Sequence, residues 1–172
     1  MITFIQNQIT ELISKSESFV SPTIQVKTFG LTKIPLIFLV SPKVLNLNKN
    51  ECKIKIPLNR ITKNHENCMY FGALAIGADL AGGLLAIQAF KGTPIRFLFK
   101  DAQAQFLKRC ESDAVFHCDD GEHVQKSMEE AIRTKERVNI PLNITVYAPK
   151  ALGDEPCAKF KLTLSIKEKN SQ

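Results

Sequence analysis

Tyr70-Phe71-Gly72-Ala73-Leu74-Ala75-Ile76-Gly77-Ala78-Asp79-Leu80-Ala81-Gly82-Gly83-Leu84-Leu85-Ala86-Ile87-Gln88-Ala89 is a run of twenty residues with a single charge. It is too long for one strand and apolar on every side, which makes it a helix wrapped by other structure. The wider stretch from Cys68 to Phe90 is long enough to cross a bilayer. Asp79 at its centre opposes that, costing roughly 2.5–3.5 kcal/mol on insertion. The remaining chain reads as amphipathic soluble structure, so a core helix is the better account. Gly72, Ala75, Ile76, Gly82, Gly83 and Ala86 share the face of Asp79 at helical spacing. Each glycine costs about 1 kcal/mol relative to alanine in a helix. Something must therefore need to come close to this surface.

Asp79 is the only charge between Glu66 and Lys91. A carboxylate on an apolar helix has its pKa raised by desolvation unless donors surround it. Two roles follow from residue chemistry alone. One is a structural acid that bonds backbone or a partner's donors. The other is a general base or nucleophile useful near neutral pH.

Outward from the helix, Lys43–Leu47 and Glu51–Ile56 read as a strand pair joined by Asn48-Lys49-Asn50. A polar loop, Asn59 to Asn67, leads into the helix. After it come strands at Ile95–Phe99, around Ala104–Leu107 and at Asp113–Cys118, then a short helical face at Val124, Met128, Ala131 and Ile132. Val138 to Val146 and Ala158 to Ile166 alternate as half-buried strands. Ile2, Ile5, Ile9, Leu12, Ile13 and Val20 mark an amphipathic N-terminal helix that Pro22 ends or follows, and Phe29–Val40 has no clear type. Strands that do not alternate with helices predict an α+β fold, an antiparallel sheet with a helix laid across one face. We divide the chain into an N-terminal helical extension, 1–35, and a main domain, 36–168.

The chain has 172 residues, net charge +6, 44% hydrophobic and 23% charged residues, which suits one folded domain. The cations are scattered, which argues against nucleic acid and is met by a solvated basic surface or an anionic small molecule. Cys52, Cys68, Cys110, Cys118 and Cys157 are odd in number and hold no CxxC spacing. No metal site and no disulfide framework is expected, and reduced thiols point to the cytoplasm. The start of the chain lacks the basic, then apolar pattern of a signal peptide. Asn143-Ile144-Thr145 matches a glycosylation sequon inside a strand-like run and is read as chance.

The segment Asn64-His65-Glu66-Asn67-Cys68-Met69-Tyr70-Phe71-Gly72-Ala73-Leu74, continuing to Ala78-Asp79-Leu80-Ala81-Gly82-Gly83, resembles the central-helix motif of hotdog-fold thioesterases of the phenylacetic-acid-degradation type. It is most similar to the branch known as DUF4442, over about Phe38 to Lys167. The resemblance implies a hotdog fold, an antiparallel sheet wrapped around one long central helix, here with an extra N-terminal amphipathic helix. It implies an acyl-CoA thioesterase that takes coenzyme A thioesters as substrate and needs no cofactor or metal. Asp79 takes the catalytic acid's place, with Asn64, fifteen residues earlier, orienting water or carbonyl. Phe71, eight residues before the acid, and Gly72 take the place of backbone oxyanion donors. His65, Tyr70, Gly82 and Gly83 fall in the substrate pocket, and Arg96, Lys100, Lys108 and Arg109 are the available phosphate contacts. The site of such proteins lies across a homodimer interface, and dimers can pair further. No nucleic-acid or membrane partner is expected. Relatives carry His-Gly-Gly where this chain has Tyr70-Phe71-Gly72, which narrows the space beside the donors. The alternative is a non-catalytic acyl-CoA or fatty-acyl binding or sensing protein, and a purely structural dimeric domain is a third reading. A dehydratase on the same fold would need an acid–histidine pair, and no histidine follows Asp79 in the helix.

Overall fold

The structure is a computed structural model that describes residues 21–168. The helix expected over Met1–Phe19 lies outside the described residues. Two short helices come first, α1 (Pro22–Lys33) and α2 (Pro35–Leu39), each opened by a proline in its first turn. Pro22 thus starts a helix here, and the untyped run Phe29–Val40 is helical. The hairpin β1 (Lys43–Leu47) and β2 (Cys52–Ile56) follows, then the long helix α3 (Phe71–Phe90). The rest is β3 (Ile95–Phe106), β4 (Ala114–Cys118), α4 (Gly121–Thr134), β5 (Val138–Tyr147), α5 (Pro149–Leu152) and β6 (Pro156–Glu168).

All six strands form one antiparallel sheet in the order β1-β2-β4-β5-β6-β3. With the long helix packed against β2, β4 and β5, this is the hotdog arrangement. The expected pair of strands at Ile95–Phe99 and Ala104–Leu107 is one continuous strand. The register against β6 slips between Phe99 and Asp101, leaving Lys100 as an extra residue. That slip changes which parity faces the core. Phe97 and Phe99 stand opposite Ile166 and Leu164, and Ala102 and Ala104 opposite Leu162 and Phe160. A period of two read straight through Lys100 fails, which is why the sequence looks broken there.

The core lies between α3 and the sheet, with Ile54, Ile56, Phe116, Ile140, Leu142 and Leu164 fully buried opposite Ala78, Ala81, Leu85 and Ala86 of the helix. By length and apolarity α3 could cross a membrane, yet more than half of it is buried within the fold. The closest approach is at Gly77. A β-carbon there would meet the Phe116 ring at 2.2 Å. Phe116 is itself wholly enclosed and cannot turn aside. Gly82 and Ala86, expected to share the face of Asp79, are buried, Gly82 lying beside Leu142 and Phe99.

Gly77→Ala is expected to destabilise the protein by about 1–3 kcal/mol, the cost of overpacking a filled core. Urea unfolding checks this as a lowered midpoint with an unchanged slope. An unchanged midpoint would mean the Phe116–Gly77 contact is not what closes the core.

Candidate functional site

The site is built at the N-terminus of α3. Thr62, fully buried, organises the loop before it: its hydroxyl donates to the Pro57 carbonyl at 2.6 Å and accepts from the Asn59 N–H at 2.9 Å. Its carbonyl accepts from the Tyr70 N–H at 2.8 Å, while the Met69 N–H donates to the Cys110 carbonyl at 2.8 Å. The loop's other end is held by Asp113, whose carboxylate accepts from the Leu58 N–H at 3.0 Å and from Lys55 at 3.1 Å. Both donors hold the Asp113 carboxyl below the usual carboxylate range, the backbone bond foremost.

These bonds fix where the helix starts and leave its first turn open. Tyr70 offers no side-chain cap, and no acid sits in the first turn. No oxygen among the described residues accepts from the N–H groups of Phe71, Gly72 or Ala73. A helix N-terminus with free donors and an uncompensated positive dipole end attracts negative charge.

Beside this turn lies an open cleft of about 430 Å³. Its apolar wall is Met69, Phe71, Leu74, Phe106 and Leu107, and its polar rim is Asn64, Cys68, Cys110, Lys108 and Arg109. Phe71 meets Phe106 edge to face at 5.7 Å, and Phe106 meets Phe160 at 6.1 Å, so stacked rings tie the helix start to the end of β3. The cleft thus gathers Asn64, Phe71, Lys108 and Arg109. Gly72 adjoins Phe71 in the same turn, and Tyr70 is exposed beside it. His65 points to solvent, 88% exposed, next to Glu66. Arg96 and Lys100 sit on exposed positions of β3 outside the cleft. Gly83 is half-buried on the open side of α3, near Phe99.

Asn64 is already at work within the loop. Its Oδ1 accepts from the N–H groups of Glu66 at 2.9 Å and Cys68 at 3.2 Å, and its Nδ2 donates to the Cys68 sulfur at 3.3 Å. Lys108 pairs with Glu155, and Arg109 with the Glu66 carbonyl at 2.7 Å and Glu111 at 3.0 Å. Of the two thiols of the rim, Cys68 reads from sequence as a loop or core residue in preference to a thiol nucleophile beside His65, since their three-residue spacing specifies nothing, and Cys110 carries no local signal. Contact with the Cys157 side chain, together with burial, drives the Cys110 thiol far above its ordinary range, so Cys110 is no thiolate at neutral pH.

Asp79 stands two turns further along α3, on the side away from the core. It belongs to an open stripe, Phe71, Ala75, Asp79, Gly83 and Ile87, in which Phe71 is 56% and Ile87 53% exposed. The sequence predicts an acid enclosed within the fold; the single chain leaves it at the surface, because the sheet covers the opposite side of the helix. Among the described residues no donor reaches its carboxylate, and loss of water to its apolar surroundings is what raises its pKa. Asp113 and Asp79 therefore sit at opposite extremes: one acid is bonded and held ionised, the other is unbonded and pushed toward its neutral form.

Residues 23–159 match the DUF4442 family, described as a domain of unknown function. The chain belongs to the DUF4442 family. The matched span begins earlier than the resemblance suggested, at α1. Similar solved structures include PA5026 of Pseudomonas aeruginosa, a protein of unknown function and probable thioesterase (19% identity, 87% of this chain and 97% of that one, TM-score 0.74). Thioesterase PA1618 of the same organism is similar at 12% identity over 87% and 96%, with a TM-score of 0.66. Thioesterase SAV0944 of Staphylococcus aureus is similar at 12% identity over 77% and 98%, with a TM-score of 0.59. At these identities they fix the hotdog fold of this DUF4442 protein. No curated protein matches its sequence.

A raised carboxyl pKa has a sign in stability. The folded state resists ionising Asp79, so the penalty is present above the folded pKa and absent below the ordinary Asp value of about 3.9. Asp79→Asn is expected to melt at a higher temperature than wild type near pH 7.5, with the two converging as the pH falls toward 4. Equal melting temperatures at every pH would show that the acid is not penalised.

Proposed function

We propose that this protein hydrolyses acyl thioesters of coenzyme A as a homodimer, each site combining the α3 N-terminus of one copy with Asp79 of the other. The observation that carries this reading is the separation of the two halves along one open helix face. Eight residues of helix rise about 12 Å. The attacking group and the oxygen donors must each come within about 3 Å of one carbonyl. A single copy cannot bring Asp79 and the Phe71 and Gly72 N–H groups to the same bond. Two α3 helices lying antiparallel, open stripe to open stripe, would do so twice, and Ala75 and Gly83 on the stripe allow the helices close approach.

The sheet supports the same assembly. β3 is an edge strand with one side unpaired. From Lys100 to Phe106 every residue is exposed, and Leu98 is 76% exposed. Long open edges of this kind invite a second strand. Pairing β3 with its copy would extend the sheet and bury the helix stripe, removing further water from Asp79.

In this reading the thioester carbonyl enters the cleft beside Phe71, its oxygen facing the free N–H groups. Asp79 of the other copy takes a proton from water, whose oxygen attacks the carbonyl carbon. The oxyanion gathers charge against the helix terminus, then collapses and breaks the C–S bond, and the departing thiolate takes the proton from Asp79. Direct attack by the carboxylate, through a mixed anhydride, uses the same positions. No resident cofactor is called for. Lys108 and Arg109 are the rim cations best placed for coenzyme A phosphates. Their present pairs are surface ion pairs worth about 0–1 kcal/mol, a small cost to displace. Asn64 contributes less than Asp79, since its oxygen already serves the loop.

Thiol release from a panel of acyl-CoA esters tests the proposal. Asp79→Asn is expected to lose about 100-fold or more of the rate, and Asn64→Ala less. The kcat/KM profile should rise with pH through a limb above the ordinary Asp value, because the base must be ionised. Acyl-CoA binding without release by wild type would favour the sensing alternative; neither binding nor release would sink both. Leu98→Lys, far from the chemistry, is expected to yield monomers by size exclusion and to abolish turnover with Asp79 intact. An active monomer would refute the shared site.

A further inference from the structure

The surface built by α1, α2 and β1 is unlike the rest of the molecule. From Ser21 to Asn50 the chain holds Lys27, Lys33, Lys43 and Lys49 and no Asp or Glu. The next acid after this stretch, Glu51, is taken by His117 at 2.7 Å and Lys53 at 3.1 Å. The inner side of the two helices is modest: Val26, Gly30 and Ile37, followed by Val40, are buried. A β-carbon on Gly30 would lie 2.7 Å from the Phe38 backbone nitrogen, so α1 and α2 are clasped tightly. The Val44 N–H donates to Thr23 Oγ1 at 2.9 Å and fastens α1 to the sheet.

The exposed surface of these helices nevertheless carries more large apolar side chains than the buried one. Ile24, Phe29, Leu31, Leu36, Phe38 and Leu39 are all exposed, with Leu31 at 62% and Leu36 at 61%. Ile24 and Leu31, seven residues apart, share one side of α1; surface helices ordinarily turn such residues inward, and exposed apolar side chains grouped on adjoining elements mark a place of interaction. We propose that this face docks onto an anionic lipid bilayer, its aliphatic and aromatic side chains entering the acyl boundary and its lysines meeting the headgroups. The charge is of one sign only, which suits a continuous negative surface. The hydroxyl of Thr32 is spent on the Thr28 carbonyl of its own helix at 2.9 Å. Apolar insertion tolerates any register, as a bilayer requires. The inference departs from the expectation that the chain has no membrane partner. It stands apart from the thioesterase reading, since binding is read without turnover.

The test is flotation of the full-length protein with vesicles of phosphatidylcholine alone, or with about 30% phosphatidylglycerol. The expected result is binding to the anionic vesicles only, weakened in about 0.5 M salt by screening. Two variants at exposed positions, Leu31→Asp with Leu36→Asp, and Lys33→Glu with Lys43→Glu, should each bind about tenfold less. Thermal melting of each variant verifies its fold, and either one alone decides the matter. Failure of the wild type to float with anionic vesicles overturns the proposal, the face then being taken by the first twenty residues or a second copy. Variants that bind like wild type overturn it as well.

Discussion

The contact between Gly77 and the ring of Phe116 sets the distance between helix and sheet, and most other features follow from that distance. A side chain on the helix at this point would hold the two layers apart. Without one, the layers close far enough that Ala78, Ala81 and Ala86 fill the helix side of the core together with Leu85, while the sheet supplies bulk through Ile54, Leu142 and Leu164. Dispersion and burial reward such filling only at van der Waals separation. The helix gives up intrinsic propensity at its glycines, and tertiary packing offsets the loss.

The same closeness divides α3 into two sides with different duties. The sheet can cover only one of them, so the stripe from Phe71 to Ile87 is left outward and apolar, with Asp79 in its middle between the small residues Ala75 and Gly83. An unbonded acid in such a setting is costly at neutral pH and has no partner in the fold to repay it. Asp113 shows what a structural acid looks like in this protein: two donors, a lowered pKa and a loop held in place. Asp79 has none of these attributes. The contrast supports the role proposed for it.

Much of the fold was legible because its signals are local. The long apolar run, the Asn48-Lys49-Asn50 turn, and the alternation in β5 and β6 each announce an element within a dozen residues. The single strand β3 was not legible, because the bulge at Lys100 inverts the alternation halfway along. Nor was the outward placement of Asp79, since an all-apolar helix carries no periodic mark of which side a sheet will take. Asn64 and Phe71 were picked out by the family resemblance, through their places relative to Asp79, and the cleft does bring these two together. Cys68, Cys110 and Leu107 joined them through the Met69–Cys110 backbone bond, a contact across forty-one residues that no local pattern encodes.

That backbone bond also explains why the helix terminus can keep its donors free. Helix ends are usually satisfied by a capping side chain. Here Thr62 and Cys110 take the N–H groups of Tyr70 and Met69, the two residues just before the first turn. They hold the chain at the entry angle that a cap would otherwise impose. The positions after them, Phe71 to Ala73, then need no internal partner to define the start. Anchoring the helix one residue early is thus what separates stability from reactivity: the loop bears the structural bonds, and the first-turn N–H groups stay available to a negative oxygen.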